Sequence, residues 1–141
     1  DLLLYTAQRS SDVRVMGLQH VKAGVVKVKQ QKTGTALEIG IHPALKGPLD
    51  ARATNQLTFV TTPTGEPYTA AGFGNWFSDA ARKAGLPVGV SAHGLRKAAA
   101  RRLAEAGWSA SQIAAITGHK TLWRRSAGRK ANKICLTLRT G

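Results

Sequence analysis

The sequence predicts an α+β domain, mainly helical, with a small antiparallel β-sheet near its start. Three observations carry this. Apolar residues between positions 25 and 41 alternate with period two around a Thr33-Gly34 turn. From Thr69 onward they recur at spacings of three and four, in runs that each end at a Gly, the first opened by Thr69 and the last by Ser109. The length, 141 residues of which 43% are apolar, is that of one domain able to bury a core.

The elements follow in order. Residues 2–7 read as the end of a helix, entered without a cap, so the chain is expected to begin partway into that helix; the same stretch lacks the basic start of a signal peptide. Ser10 and Ser11 are good N-caps for a short helix through Met16, with Gly17 as its stop. Val26 and Val28 alternate with Lys27 and Lys29; after the turn, Leu37, Ile39 and Ile41 alternate with Glu38 and Gly40, which makes a hairpin. Pro43 and Pro48 bracket a short helix or loop, and residues 57–62 suit a third strand closed by Pro63-Thr64-Gly65. Thr69 caps a helix with Phe73, Trp76, Phe77, Ala80, Ala81 and Ala84 on one face, ended by Gly85 and Pro87. Residues 93–106 form the next, with Leu95, Ala99, Leu103 and Ala106 inward and Gly107 as the stop. Ser109 with Gln112 makes a capping box for a third, carrying Ile113 and Ile116 and ended by Gly118. Beyond Leu122 the pattern dissolves: residues 124–133 have no helical period, and residues 134–138 are a short apolar run, either a strand or irregular.

Charge narrows the function. There are 21 Lys+Arg against 7 Asp+Glu, a net charge of +14. Such an excess points to a polyanionic partner, nucleic acid first and an anionic membrane second. The acids (Asp1, Asp12, Glu38, Asp50, Glu66, Asp79, Glu105) are scattered, which argues against a two-metal or paired-carboxylate centre. Cys135 is the only cysteine, so neither an internal disulfide nor a Cys-rich zinc site forms, in keeping with a reduced, cytoplasmic setting. Half of the excess lies in residues 120–141, which hold 7 Lys+Arg and no acid.

Four places can carry chemistry. His93 and Arg96 stand three apart at a helix start, so both reach one ligand, and a helix start favours anions. Arg binds phosphate bidentately and keeps its proton, whereas His moves one near neutral pH. Arg9 lies at a helix start, where the macrodipole disfavours a cation unless it faces an anion. Lys32 sits at the hairpin tip, from which an ammonium can enter a DNA groove and protonate a leaving alkoxide. His119 follows Gly118 at a helix end. Taken singly, each also reads as an ordinary surface or capping group.

Their order is specific: Arg in T-A-Q-R-S-S-D, Lys in a hairpin K-T-G, then H-G-L-R, then G-H-K-T. With Leu3-Leu4-Tyr5-Thr6, Gly72-Phe73-Gly74-Asn75-Trp76-Phe77, Ala84-Gly85-Leu86-Pro87 and Leu103-Ala104-Glu105-Ala106-Gly107, the series resembles the catalytic domain of tyrosine recombinases, the phage integrase family, over residues 2–122. The resemblance implies the DNA breaking-rejoining fold and site-specific recombination or integration of double-stranded DNA, as in mobile elements, without metal or other cofactor. It implies a tyrosine that attacks the scissile phosphate, with Arg9 and Arg96 clamping the non-bridging oxygens. His93 would handle the nucleophile's proton, Lys32 would be general acid for the 5′-oxygen, and His119 would hydrogen-bond the phosphate. Lys29, Lys97 and Lys120, beside these, are assigned to DNA contact along with Arg9, Lys32 and Arg96. The family also implies a tetramer on DNA, a nucleoid-associated location, and no membrane or small-molecule partner.

The chain departs from the family where the nucleophile belongs. About nine residues after Gly118-His119 the position is Gly128, within Trp123-Arg124-Arg125-Ser126-Ala127-Gly128-Arg129-Lys130. The two tyrosines, Tyr5 and Tyr68, lie elsewhere and read as packing residues; Ser126 has nothing beside it to activate it. Without a nucleophile the covalent route is closed, so the expectation is DNA binding without cleavage, and a tetramer that exchanges this tail is in doubt. The division expected is a recombinase-like catalytic domain over 1–122, without the start of its first helix and without the core-binding domain that precedes it in the family, and a divergent basic tail over 123–141, with disorder or a shifted reading frame as its readings. Two alternatives stay open. Residues 102–114 have the look of a helix-turn-helix, which would make the chain a DNA-binding protein without catalysis; a non-functional integrase remnant is the other. A cationic membrane-surface protein is disfavoured, because no helix pairs a strong apolar face with a basic one.

Overall fold

A computed structural model describes residues 1–51 and 55–118 in full and the backbone of residues 132–134. It bears out the mainly helical α+β class. The helices are α1 (Leu2–Thr6), α2 (Ser10–Val13), α3 (Pro43–Asp50), α4 (Ala70–Lys83), α5 (Ala92–Glu105) and α6 (Ala110–Thr117). The strands are β1 (Val21–Lys22), β2 (Val25–Lys29), β3 (Ala36–Gly40) and β4 (Asn132–Ile134), in spatial order β1-β2-β3-β4.

The hairpin has the expected register: Val26 faces Ile39 and Val28 faces Leu37, and all four are buried. On the other face Lys27 lies opposite Glu38 and pairs with it at 3.2 Å. The antiparallel part has three strands, because β1 joins β2. β4 then adds to β3 in parallel, Leu37 beside Asn132 and Ile39 beside Ile134. Of the apolar run at 134–138, residues 135–138 lie outside the described residues.

The third strand expected at 57–62 does not form. That segment lies along the chain after α2: the Phe59 amide donates to the Met16 carbonyl (2.8 Å), and the only bridge in it is Thr61 with Pro67. Gly17 explains the approach. A Cβ there would stand 2.1 Å from the Leu57 carbonyl oxygen, so glycine is needed for close passage of two backbones. It does not stop a helix, since α2 already ends at Val13 and the φ of Gly17 is an ordinary extended −150°. Nor do Ser10 and Ser11 cap α2; the N-cap position is Arg9, which leaves its side chain free for another task.

The later helices start where their caps lie. The side chains of Thr69, Ser91 and Ser109 accept from the amides of Gly72, Gly94 and Gln112, and Ser109 with Gln112 forms the full capping box. Gly118 ends α6 at φ +69°. Phe73 and Ala81 of α4 and Ala99 and Leu103 of α5 are buried, but Ala80, Ala84 and Ala106 are exposed and Trp76 is 39% accessible. The apolar faces are therefore narrower than the periodicity implied. One core joins Leu3, Val13, Met16, Phe59, Phe73, Ala99, Leu103 and Ile116 to the inner face of the hairpin. No helix among the described residues is long and apolar enough to cross a membrane.

Candidate phosphate-binding site

Arg9 is held by the start of α2. Its carbonyl accepts from the amides of Asp12 (3.0 Å) and Val13 (2.9 Å), fixing the backbone, while its guanidinium is half-buried with Nη1 enclosed and unpartnered. Arg96 lies one turn into α5, only 3% exposed. Its Nη2 donates to the Thr117 carbonyl at the end of α6 (2.6 Å), and its Nη1, like that of Arg9, is buried without a hydrogen-bond partner among the described residues.

The two charges sense each other. Burial, then the charge of Arg9, pulls the Arg96 guanidinium below the usual arginine range, and Asp12 opposes the shift. Among the described residues the ion pairs are Lys27–Glu38, Arg82–Asp79 and Arg101–Glu105, so neither Arg9 nor Arg96 is neutralised by a salt bridge. Two mutually repelling guanidiniums, each with an enclosed N–H that has no hydrogen-bond partner among the described residues, carry more positive charge than the single buried carboxylate, Asp12, that acts on Arg96. A buried unmet donor is costly, and an anion with several acceptor oxygens satisfies both at once.

Asp12 is the nearest counter-charge. It is 2% exposed; Oδ1 accepts the Gln31 amide at 2.8 Å, and Oδ2 has no hydrogen-bond partner. The sequence marked it only as one scattered acid. Gln8 and Gln30, both wholly buried, were missed altogether. The Gln8 amide nitrogen donates to the carbonyls of Thr6 (3.0 Å) and Ile116 (2.8 Å); that of Gln30 donates to Gln8 Oε1 (2.6 Å) and to the Thr117 carbonyl (2.9 Å). The one available signal was period two: position 30 continues the inward face of Val26 and Val28, where an amide is out of place.

The other candidates lie on the elements around these two arginines or outside the described residues. Lys32 is exposed at the hairpin tip, and the tip is tied to α2 through Gln31, whose Nε2 donates to the Ser11 carbonyl (2.9 Å). His93 occupies the first turn of α5 and is exposed; Ser91, not His93, is the cap. Lys29 and Lys97 are exposed. His119, Lys120, Ser126 and Gly128 lie outside the described residues, as does most of the 123–141 tail. Tyr5 and Tyr68 are partly buried, Tyr5 stacked on His42 and Tyr68 packed on Phe73 and Trp76, as expected of packing residues.

Residues 1–124 match the phage integrase family. Among solved structures the fold is similar to the lambda integrase catalytic core, at 27% identity over 84% of this chain and 79% of that one, TM-score 0.71. It is also similar to a lambda integrase tetramer bound to a Holliday junction (26% identity, 89% of this chain and 41% of that one, TM-score 0.71). XerA recombinase shares the fold at 20% identity, over 85% of this chain and 47% of that one, TM-score 0.71. The chain thus spans less than half the length of the last two. No curated protein matches it. A match over residues 1–124, on a fold that brings Arg9 and Arg96 to one buried centre, places the chain in the phage integrase family.

Proposed function

We propose that this chain binds duplex DNA through a single backbone phosphate seated on Arg9 and Arg96, as a recombinase-type catalytic domain that lacks its nucleophile and does not cleave. The carrying observation is the pair of buried, unpartnered Nη1 groups on two guanidiniums that repel each other. In this reading the pair takes the non-bridging oxygens and would stabilise the charge of an in-line displacement. Lys32 approaches from the tip toward the 5′-oxygen, and His93 lies beside Arg96 on the first turns of α5. Lys29 and Lys97, with Lys120 and His119 beyond Gly118, extend the contact to neighbouring phosphates. The family reaction is site-specific DNA integration and recombination; with Gly128 where the tyrosine belongs, the covalent step has no attacking group. The domain is residues 1–122, and 123–141 is a divergent tail.

Two measurements test this. Fluorescence anisotropy with a labelled random-sequence duplex, across a salt series, is expected to show binding that weakens with salt. Arg9→Ala and Arg96→Ala should each reduce the slope of log K against log salt by about 0.9. Unchanged slopes would remove the phosphate site. A strong preference for one duplex, lost on substitutions in α6, would support the helix-turn-helix alternative. A nicked suicide substrate is expected to give no covalent adduct on a denaturing gel; an adduct would overturn the cleavage-inactive reading.

A further inference from the structure

The Gln30 side chain carries no charge, touches neither Arg9 nor Arg96 through a hydrogen bond, and is fully buried under the hairpin tip. Its amide is nonetheless committed on every side. Nε2 donates to Gln8 Oε1 (2.6 Å) and to the Thr117 carbonyl (2.9 Å), and Oε1 accepts from Thr33 Oγ1 (2.8 Å). Its backbone closes the tip, with the amide on the Thr35 carbonyl (2.9 Å) and the carbonyl accepting from Gly34 (2.8 Å). The next residue, Gln31, is tied by its amide to Asp12 Oδ1. Lys32 therefore hangs between two anchored neighbours.

These anchors reach both arginines. Gln8 precedes Arg9, and Ser11 and Asp12 follow it; the Thr117 carbonyl is the one that Arg96 Nη2 also holds. One amide thus joins the segment of Arg9, the acceptor of Arg96 and the loop of Lys32. A buried amide brings little stability over an apolar side chain of the same size, since its bonds only offset its desolvation. What it adds is direction. Room is kept for it: a Cβ on Gly118 would stand 2.2 Å from Gln30 Oε1 and 2.5 Å from Cδ and Nε2.

We propose that Gln30 is a positioning residue that sets the place of Lys32 relative to the Arg9–Arg96 pair. This rests on the phosphate-binding reading above. The test is a double-mutant cycle of Lys32→Ala and Gln30→Leu, read as the salt slope of binding to the same labelled duplex. Lys32→Ala is expected to lower the slope by about 0.9. Gln30→Leu should lower it by as much, and the double variant no further. Additive losses, or a Gln30→Leu slope equal to wild type while Lys32→Ala lowers it, would overturn the positioning role and leave the phosphate site standing. A second readout needs no DNA. Amide exchange at Gln31 and Gly34 should quicken about tenfold or more in Gln30→Leu, while Val26 and Val28 keep their protection. Equal loosening along all of β2, or no change at the tip, would count against the proposal even if the chain bound no DNA. If Gln30→Leu does not fold, Thr33→Val removes the bond to Gln30 Oε1 together with the Thr33 hydroxyl's contacts to Thr35 inside the tip, leaves the Gln30 bonds to Gln8 and Thr117 in place, and is expected to give the same pattern, smaller in size.

Discussion

Replacing Arg96 by Met separates a ligand-binding group from a structural strut. Arg96 is 3% exposed and makes one hydrogen bond, Nη2 to the Thr117 carbonyl. Losing a bond from a charged donor costs about 1.5–3 kcal/mol. The acceptor is not orphaned, because the Gln30 amide still donates to it. Against that loss stand the release of an enclosed, unmet N–H, about 1–3 kcal/mol, and the end of the repulsion from Arg9. Met fills a similar volume and ends the burial of a charge, the largest influence on Arg96, while the smaller attraction of Asp12 is lost on the other side. The net expectation is a change within about 1 kcal/mol, a Tm shift within about 4 °C for a domain of this size. Thermal unfolding followed by circular dichroism measures it, with and without a short DNA duplex. Wild type should gain stability on adding duplex and Arg96→Met should gain much less, since only a ligand that binds the folded state raises Tm. A loss above about 3 kcal/mol, or an equal gain from duplex in both proteins, would refute the idea that Arg96 is held ready for an anion.

Three other outcomes follow from the same geometry. Gly118→Ala should destabilise by about 2–4 kcal/mol, since it combines a left-handed backbone with a Cβ driven into the Gln30 amide; urea unfolding with a loss under about 1 kcal/mol would contradict the described contact. Ser109→Ala should cost about 1 kcal/mol by removing the α6 cap, with Ser109→Gly costing only a few tenths, again by urea midpoint. Phe73→Ala, at 2% exposure, should cost about 3–5 kcal/mol, and a smaller loss would mean that α4 is not part of the core.

The sequence carried local structure well and convergence poorly. Alternation of Val26, Val28, Leu37 and Ile39 sets a register that the hairpin keeps, and the expected caps Thr69 and Ser109 fall where α4 and α6 begin. Both are short-range signals. Some failures are local, since Ser10 and Ser11 do not cap α2 and Gly17 does not stop it; the others are long-range. Residues 57–62 have strand-like composition, but the Phe59 amide donates to Met16 and the Thr62 amide to Glu66 rather than to a sheet edge, and the free edge of the hairpin is taken by β1, which shows no alternation. Arg9 and Arg96 were legible as anion ligands through type and order, yet nothing in the spacing revealed that their enclosed N–H groups lack partners. Gln8 and Gln30 were invisible because an amide reads as polar surface until the opposing carbonyls are in place.

The two bonds that close this centre also carry a lesson about time. Gln8 meets Ile116 across 108 residues of chain, and Gln30 meets Thr117 across 87. In chain order α1, the hairpin and α5 are all synthesised before the last turn of α6. Until that turn is made, Arg96 lacks the carbonyl it rests on and Gln30 lacks one of its two acceptors. A half-made chain thus presents scattered positive charge but no organised anion seat. If Arg9 and Arg96 seat a phosphate as proposed, that seat is complete only when the two ends of the domain are stitched together.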